Sequence, residues 1–332
     1  MNTPTIQSAI ENFLRNVEAT QSGHTVKNYR ADLLGSTGFL PSMTRYFPPS
    51  MSIRDLREEM AVQYFQQLIL QDVAPATFQR RASTMREFLR FANALKWSDV
   101  SADRFKNLLK AGRLIPKPST PAPFQEIEPL IVRVFDYALN MIPQGNNIEH
   151  LIQLRNKAFL ITLADTGLRV HEACNLKRGD IDWARMRAVI IGKGGKEGVI
   201  RFSQRSIEAI QEYLRARAVI DGSSGRPLAS LPIFARHDDG GMKKVKRITT
   251  FTGEEIVHAV AMAALGEDYD TRLTCHKYRH YFVTVVLRET DNLKIAQEYA
   301  RHKNIAVTQR YAHVNEGELD RTFDKIFNRP AT

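Results

Sequence analysis

Residues 113–124 read RLIPKPSTPAPF, with four prolines inside eight residues. Each proline fixes its own φ, removes an N–H donor and disfavours helical geometry at the residue before it, so no helix propagates through this stretch. A Pro-rich segment of this kind is an extended spacer. The chain is therefore expected to build two cores, over residues 1–112 and 125–332, with 113–124 as the linker. A length of 332 residues accommodates two domains of ordinary size.

Before the linker, TIQSAIENFLRNV, HTVKNYRADLL, IRDLREEMAVQYFQQLILQ and APATFQRRASTMREFLRFANAL each repeat apolar residues at three and four, the spacing of one buried helical stripe. No strand is predicted there. After it, IEPLIVRVFDYALNMI and NIEHLIQLRNKAFLITLADTG read as helices, the second stopped by Gly167. A short helix, RVHEACNL, follows. RAVIIGKGGKEGVIRF then sets two β-branched runs around a Gly-rich turn, the pattern of a hairpin. Residues 203–219 return to helix with Ser203 as N-cap, 235–249 read as an exposed loop, and further helices are expected at 252–265, 276–289, 292–301, 304–311 and 315–327. The fold class is mainly α with a small antiparallel β-sheet, α+β.

The formal charge is +11, of which +6 lies in residues 1–120 and +5 in the remainder. Both halves can meet one polyanion, and nucleic acid is the first expectation. The longest apolar runs, such as FLITLA at 159–164, are far too short for a bilayer, and the N-terminus has no secretory pattern. The expected setting is cytoplasmic, with no membrane partner. Cys174 and Cys275, lacking any CxxC spacing, read as buried free thiols.

Four stretches carry polar chemistry that packing does not require. In ADTGLRVHEACNL, Arg169 follows a Gly turn and opens a helix, from which its guanidinium can project; the bland alternative is an i, i+3 pair with Glu172. GKGGKEG lacks the spacing of a Walker phosphate loop, but its turn presents Lys193 and Lys196. In CHKYRHYF, His276, Arg279 and His280 share one side of a helix, and Lys277 stands where a zinc protease motif wants glutamate, so no metal is expected. The fourth, YARHKNIAVTQRYAHV, holds two tyrosines and two histidines among cations.

Taken in order, TGLR with a following Glu, a lysine hairpin 24 residues beyond the Arg, HKYRH, and RH nine residues before the tyrosine of RYAH resemble the tyrosine recombinase (phage integrase, Xer-like) family over essentially the whole chain. The resemblance implies a helical, SAM-like core-binding domain at 1–112 and a catalytic domain at 125–332. By position it implies Arg169, Lys193, His276, Arg279 and His302 around a nucleophile, Tyr311, with Glu172 in support and no cofactor. It implies cleavage and rejoining of duplex DNA through a 3′-phosphotyrosyl link and a Holliday junction, without metal or ATP. It further implies a homotetramer on two DNA sites, nucleoid-associated when bound, with the amphipathic tail 315–327 packing in trans. The chain departs from the pattern where LGH has become ARH and HxLRH has become HKYRH. Arg301, with Arg80, Arg81, Arg86 and Lys196, is a candidate DNA contact. The alternatives are a type IB topoisomerase and a catalytically silent DNA-binding regulator on the same fold.

Overall fold

The computed structural model describes residues 3–117, 124–145, 147–191, 197–238, 245–301 and 308. The chain divides into two compact units, Met1–Pro121 and Ala122–Thr332. The first contains six helices among its described residues: α1 (Ile6–Thr20), α2 (Gly23–Leu34), α3 (Phe39–Met43), α4 (Glu58–Leu70), α5 (Pro75–Ala94) and α6 (Ala102–Ala111). Thr5, Ser22 and Ser101 cap α1, α2 and α6, each side-chain oxygen accepting an N–H from the first turn. The core is aromatic: Phe65 meets Tyr64, Phe78 and Phe105 at ring-centroid distances of 5.2, 5.0 and 5.4 Å. Burying each such ring contributes roughly 1.5–3 kcal/mol.

The helix expected over 53–71 is broken. Ile53–Asp55 forms one 3-10 turn, Leu56 and Arg57 are extended, and α4 starts at Glu58. The break lets both Ile53 and Leu56 reach the core, where each is fully buried. The sequence reading also missed α3, which is only five residues long, and α6.

The second unit opens with α7 (Phe124–Asn140) and α8 (Asn147–Thr166), followed by α9 (Val170–Asn175). A three-stranded antiparallel sheet follows, ordered β1 (Ile181–Asp182), β2 (Arg187–Ile191), β3 (Glu197–Arg201), with Arg187 opposite Arg201 at the hairpin's open end and Ile191 opposite Glu197 at the other. Then come α10 (Gln204–Ala216), α11 (Ala218–Gly222), α12 (Thr250–Leu265), α13 (Cys275–Thr290) and α14 (Leu293–Ala300). Ser203 caps α10 as expected. Asp165, near the end of α8, accepts both Arg205 Nε and Nη2 at 2.7 Å and so pins α10 to α8.

Residues 235–249 do not form a free loop at their described ends. Arg236 N donates to Lys246 O at 2.8 Å and Ile248 N to Phe234 O at 3.1 Å. Val245 and Ile248 are buried, so the segment returns to the core as a narrow ladder. Its anchor is a buried polar network. Arg217, fully buried, donates to Asp221 and to the carbonyls of Pro232 and Ile233, while the Tyr213 hydroxyl bonds His237 Nε2 at 2.7 Å. Every member finds partners, which is what makes a buried network tolerable.

Burial, then Arg155 and Arg217, hold the His237 pKa down to about 4 from 6.5. The unfolded chain takes up a proton as pH falls through 6.5 and the folded chain only near 4, so stability is lost across that window as pH falls. At ~1.4 kcal/mol per unit the loss is about 3 kcal/mol. His237→Gln, which cannot titrate, is expected to flatten this part of the stability curve measured by urea unfolding at each pH.

Candidate active site

Gly167 takes φ +59° straight after α8, in the left-handed region that favours glycine. A Cβ there would lie 2.3 Å from Phe282 Cδ1, so the turn also needs glycine for space. The turn delivers Arg169 in extended geometry at the N-cap of α9, with its carbonyl accepting Ala173 N–H. The guanidinium thus leaves from the end of an element, and the side chain is 42% exposed.

The i, i+3 pair with Glu172 is real as well, so the two readings of Arg169 coexist. Glu172 Oε2 accepts the Arg169 backbone N–H at 2.8 Å, and Oε1 accepts Arg169 Nη1 at 3.1 Å. Arg301 Nη2 reaches the same Oε2 at 3.0 Å. Burial by itself would raise the Glu172 pKa, but Arg301, the Arg169 N–H, the Arg169 guanidinium and Arg279 outweigh it and hold the carboxyl below its ordinary value.

Arg279, from the second turn of α13, is 2% exposed. It donates through Nη1 to Gly167 O and through Nη2 to Ala300 O. One guanidinium therefore joins the glycine turn that precedes Arg169 to the last residue of α14. His276, one turn earlier on α13, reaches the surface. Burial by neighbouring protein, then Arg279, Lys277 and Arg169, depress its pKa, which favours the uncharged imidazole, the form that can accept a proton.

Arg301 is the C-cap of α14 with φ 54° and ψ 42°, a left-handed conformation. An arginine costs roughly 1–2 kcal/mol more than glycine there. The departure from LGH therefore keeps the glycine-like backbone and adds a side chain, which turns inward onto Glu172 with only 14% exposure. Tyr278, the residue that departs from HxLRH, is fully buried and its hydroxyl has no partner among the described residues. Its ring fills a core position.

His280 stacks on Phe124 with ring centroids 4.3 Å apart. Cys174 and Cys275 are buried and free, and burial pushes the Cys174 thiol up to about 12. Tyr299 packs against Phe282, with Arg201 of β3 over its ring. Lys193, Lys196, His302, Tyr311 and the tail 315–327 lie outside the described residues.

In the first unit, Arg80 bonds the buried Asp32, which also accepts Thr84 Oγ1 at 2.7 Å. Arg81 donates to Thr37 O at 2.6 Å and to the Tyr64 hydroxyl at 2.7 Å, with 12% of its side chain exposed. These contacts tie α2 and the segment after it to α4 and α5. Arg86 is half-buried, and its Nε has no partner among the described residues. A cationic groove that the sequence did not suggest, about 520 Å³, is lined by Lys177, Arg226, Arg236, Lys246 and Arg247. These residues lie up to 70 positions apart in the chain, and only the fold collects them.

Residues 140–318 match the phage integrase family and residues 10–96 match the phage integrase N-terminal SAM-like domain. The chain belongs to the phage integrase family of tyrosine recombinases. It is similar to the tyrosine recombinase XerC of Halalkalibacterium halodurans, 27% identical over 309 residues and 91% of each chain. It is likewise similar to that organism's tyrosine recombinase XerD, 28% identical over 95% of this chain and 96% of the relative. Among solved structures, XerH recombinase bound to palindromic difH substrate superposes with TM-score 0.65 at 15% identity, covering 99% of this chain and 100% of that one. The Tn1549 transposon integrase with its right-end DNA gives 0.64 at 15% identity, covering 98% and 100%. The α+β fold expected from the sequence is that of these recombinases.

Two substitutions separate backbone demand from side-chain demand. Gly167→Ala is expected to destabilise the second unit by about 2–4 kcal/mol, combining left-handed strain with overpacking against Phe282. Tyr278→Phe removes an unpartnered buried hydroxyl and is expected to leave stability unchanged or raise it by up to about 1–2 kcal/mol. Both are read from chemical denaturation midpoints.

Proposed function

We propose that this tyrosine recombinase carries out site-specific recombination of duplex DNA, with Tyr311 as nucleophile and Arg169, Lys193, His276, Arg279 and His302 as its catalytic set. The observation that carries the reading is the bond from Arg279 to the carbonyl of Gly167, 112 residues earlier in the chain. It brings the two arginine motifs to one turn, with His276 one helical turn before Arg279.

A phosphodiester resists attack because the incoming oxygen meets negative charge and the departing alkoxide is a poor leaving group. Arginine forks on the non-bridging oxygens stabilise the charge that grows in the pentacoordinate transition state, with no metal required. The Tyr311 oxygen forms the new bond to phosphorus and gives its proton to His276. The bond to the 5′ oxygen breaks, and Lys193 protonates that oxygen as it leaves. His302 holds a phosphate oxygen. The 3′-phosphotyrosyl ester conserves the energy of the broken bond, so a 5′ hydroxyl from another duplex reverses the step without ATP. Exchange of one strand pair yields a Holliday junction.

Recombination joins two duplexes, so the assembly in this reading is four copies on two sites. Leu319, Phe323 and Phe327 form an apolar stripe in the tail suited to packing on a neighbouring copy. Contacts to the DNA backbone come from both basic units, with Arg86, Lys196 and the groove around Lys246 and Arg247 on phosphates. Arg80, though bonded to Asp32, keeps 40% of its side chain exposed for the same role. Such contacts fix register rather than sequence. The reaction takes place in the cytoplasm, on nucleoid DNA.

Tyr311→Phe is expected to abolish the covalent complex with DNA while leaving binding intact. The check is denaturing electrophoresis of protein mixed with nicked duplexes, beside a gel-shift measurement. A covalent complex that survives the substitution rejects Tyr311. Sequencing the DNA trapped on the wild-type protein identifies the site, and relaxation of supercoiled plasmid lacking that site would replace recombination with a topoisomerase reading.

A further inference from the structure

Arg301 touches three segments at once. Its backbone closes α14 in a left-handed turn immediately before His302. Its aliphatic stem lies over β3: a Cβ on Gly198 would meet Arg301 Cδ at 2.9 Å and Nη1 at 4.0 Å. Its Nη2 bonds Glu172 Oε2 at 3.0 Å, and Nη1 is buried without a partner among the described residues.

The carboxylate of Glu172 has two oxygens, and their occupancy decides how Arg169 is held. Oε2 is taken by the Arg169 backbone N–H and by Arg301. Only Oε1 is left for the Arg169 guanidinium, which bonds it through Nη1 alone at 3.1 Å. A carboxylate with both oxygens available prefers to grip a guanidinium in a two-bond fork. A fork on Glu172 would withdraw two of the Arg169 donors and half-neutralise its charge at the place where a phosphate must bind.

We propose that Arg301 is a positioning residue that occupies one oxygen of Glu172 and so keeps the Arg169 guanidinium singly held, with its remaining N–H donors available to the substrate phosphate. The same residue locks the end of α14 against β3, the strand that follows Lys193 in the chain. An inward-facing arginine in a backbone conformation that favours glycine is accounted for by this work at Glu172, not by an outward contact to DNA. The inference rests on the recombinase reading for its substrate but not for its geometry.

The test compares wild type, Arg301→Gly, Arg301→Lys and Arg301→Gly with Glu172→Gln, all folded by circular dichroism at the assay temperature. The probe is a nicked duplex carrying the sequence recovered by covalent trapping, cleaved in single turnover. Arg301→Gly is expected to slow cleavage at least tenfold while duplex affinity changes less than twofold, because affinity is spread over many phosphate contacts. Arg301→Lys, which restores one ion pair to Glu172, recovers part of the rate. Adding Glu172→Gln to Arg301→Gly also recovers part of it, since a neutral amide no longer captures Arg169. A merely structural role for Arg301 predicts that the second substitution worsens the loss, and that result overturns the proposal, as does an unchanged rate in Arg301→Gly. Independently of any DNA, the ¹⁵N–¹H signal of Arg169 Nε, assigned by its disappearance in Arg169→Lys, moves in Arg301→Gly; an unmoved signal also overturns it. Absence of cleavage by the wild-type protein rejects the recombinase reading instead, leaving the Arg169 signal to decide the positioning role.

Discussion

One buried carboxylate, that of Glu172, organises the candidate site. Its side chain is 5% exposed and lies against the guanidinium groups of Arg169 and Arg301. An isolated carboxylate at that depth would be protonated or expelled; surrounded by cations and an N–H it stays ionised and becomes the fixed point against which they are aligned. Around it the cluster of Arg169, Arg279, Arg301 and Glu172 carries a net excess of positive charge, the balance expected where an anion is to be received and charge is to develop.

Backbone geometry provides the second fixed element. The left-handed turn at Gly167 presents its carbonyl to Arg279, and the left-handed turn at Arg301 follows directly on the carbonyl of Ala300, the other acceptor of the same guanidinium. Two turns that reverse or end helices thus expose the oxygens that orient an arginine. The pairing explains why a glycine and a glycine-like arginine stand where they do. Space is the further reason at Gly167, where Phe282 leaves no room for a methyl group.

Much of this was legible in the sequence because helical and strand periodicities are local. The long helices α5, α7 and α8, the paired strands of the hairpin and the Ser203 cap were all readable. The five-residue α3 carries too few residues to display a period, whereas α6 spaces Ala102, Phe105 and Leu109 at helical intervals and was legible but passed over. The split at Leu56 was hidden because burial of Ile53 and Leu56, a tertiary effect, outweighs the helical preference of the sequence around them. Residues 235–249 looked like a loop because polar composition says nothing of where a segment's ends are anchored; Arg217 and Tyr213, fully buried, hold it from another helix.

The order and spacing of TGLR, the lysine hairpin, HKYRH and RH with its later tyrosine were enough to point to the family to which the chain belongs, since order and spacing are read directly along the chain. Which way Arg301 turns, and which partners Arg80 and Arg81 bond within their own unit, were decided only by the tertiary structure. Each of these depends on partners far away in sequence. Asp32 and Tyr64 draw Arg80 and Arg81 into their own domain, and Glu172 draws Arg301 across 129 positions of chain. A charged side chain names its possible chemistry by its type, but the low-dielectric surroundings and the one carboxylate within reach choose what it does.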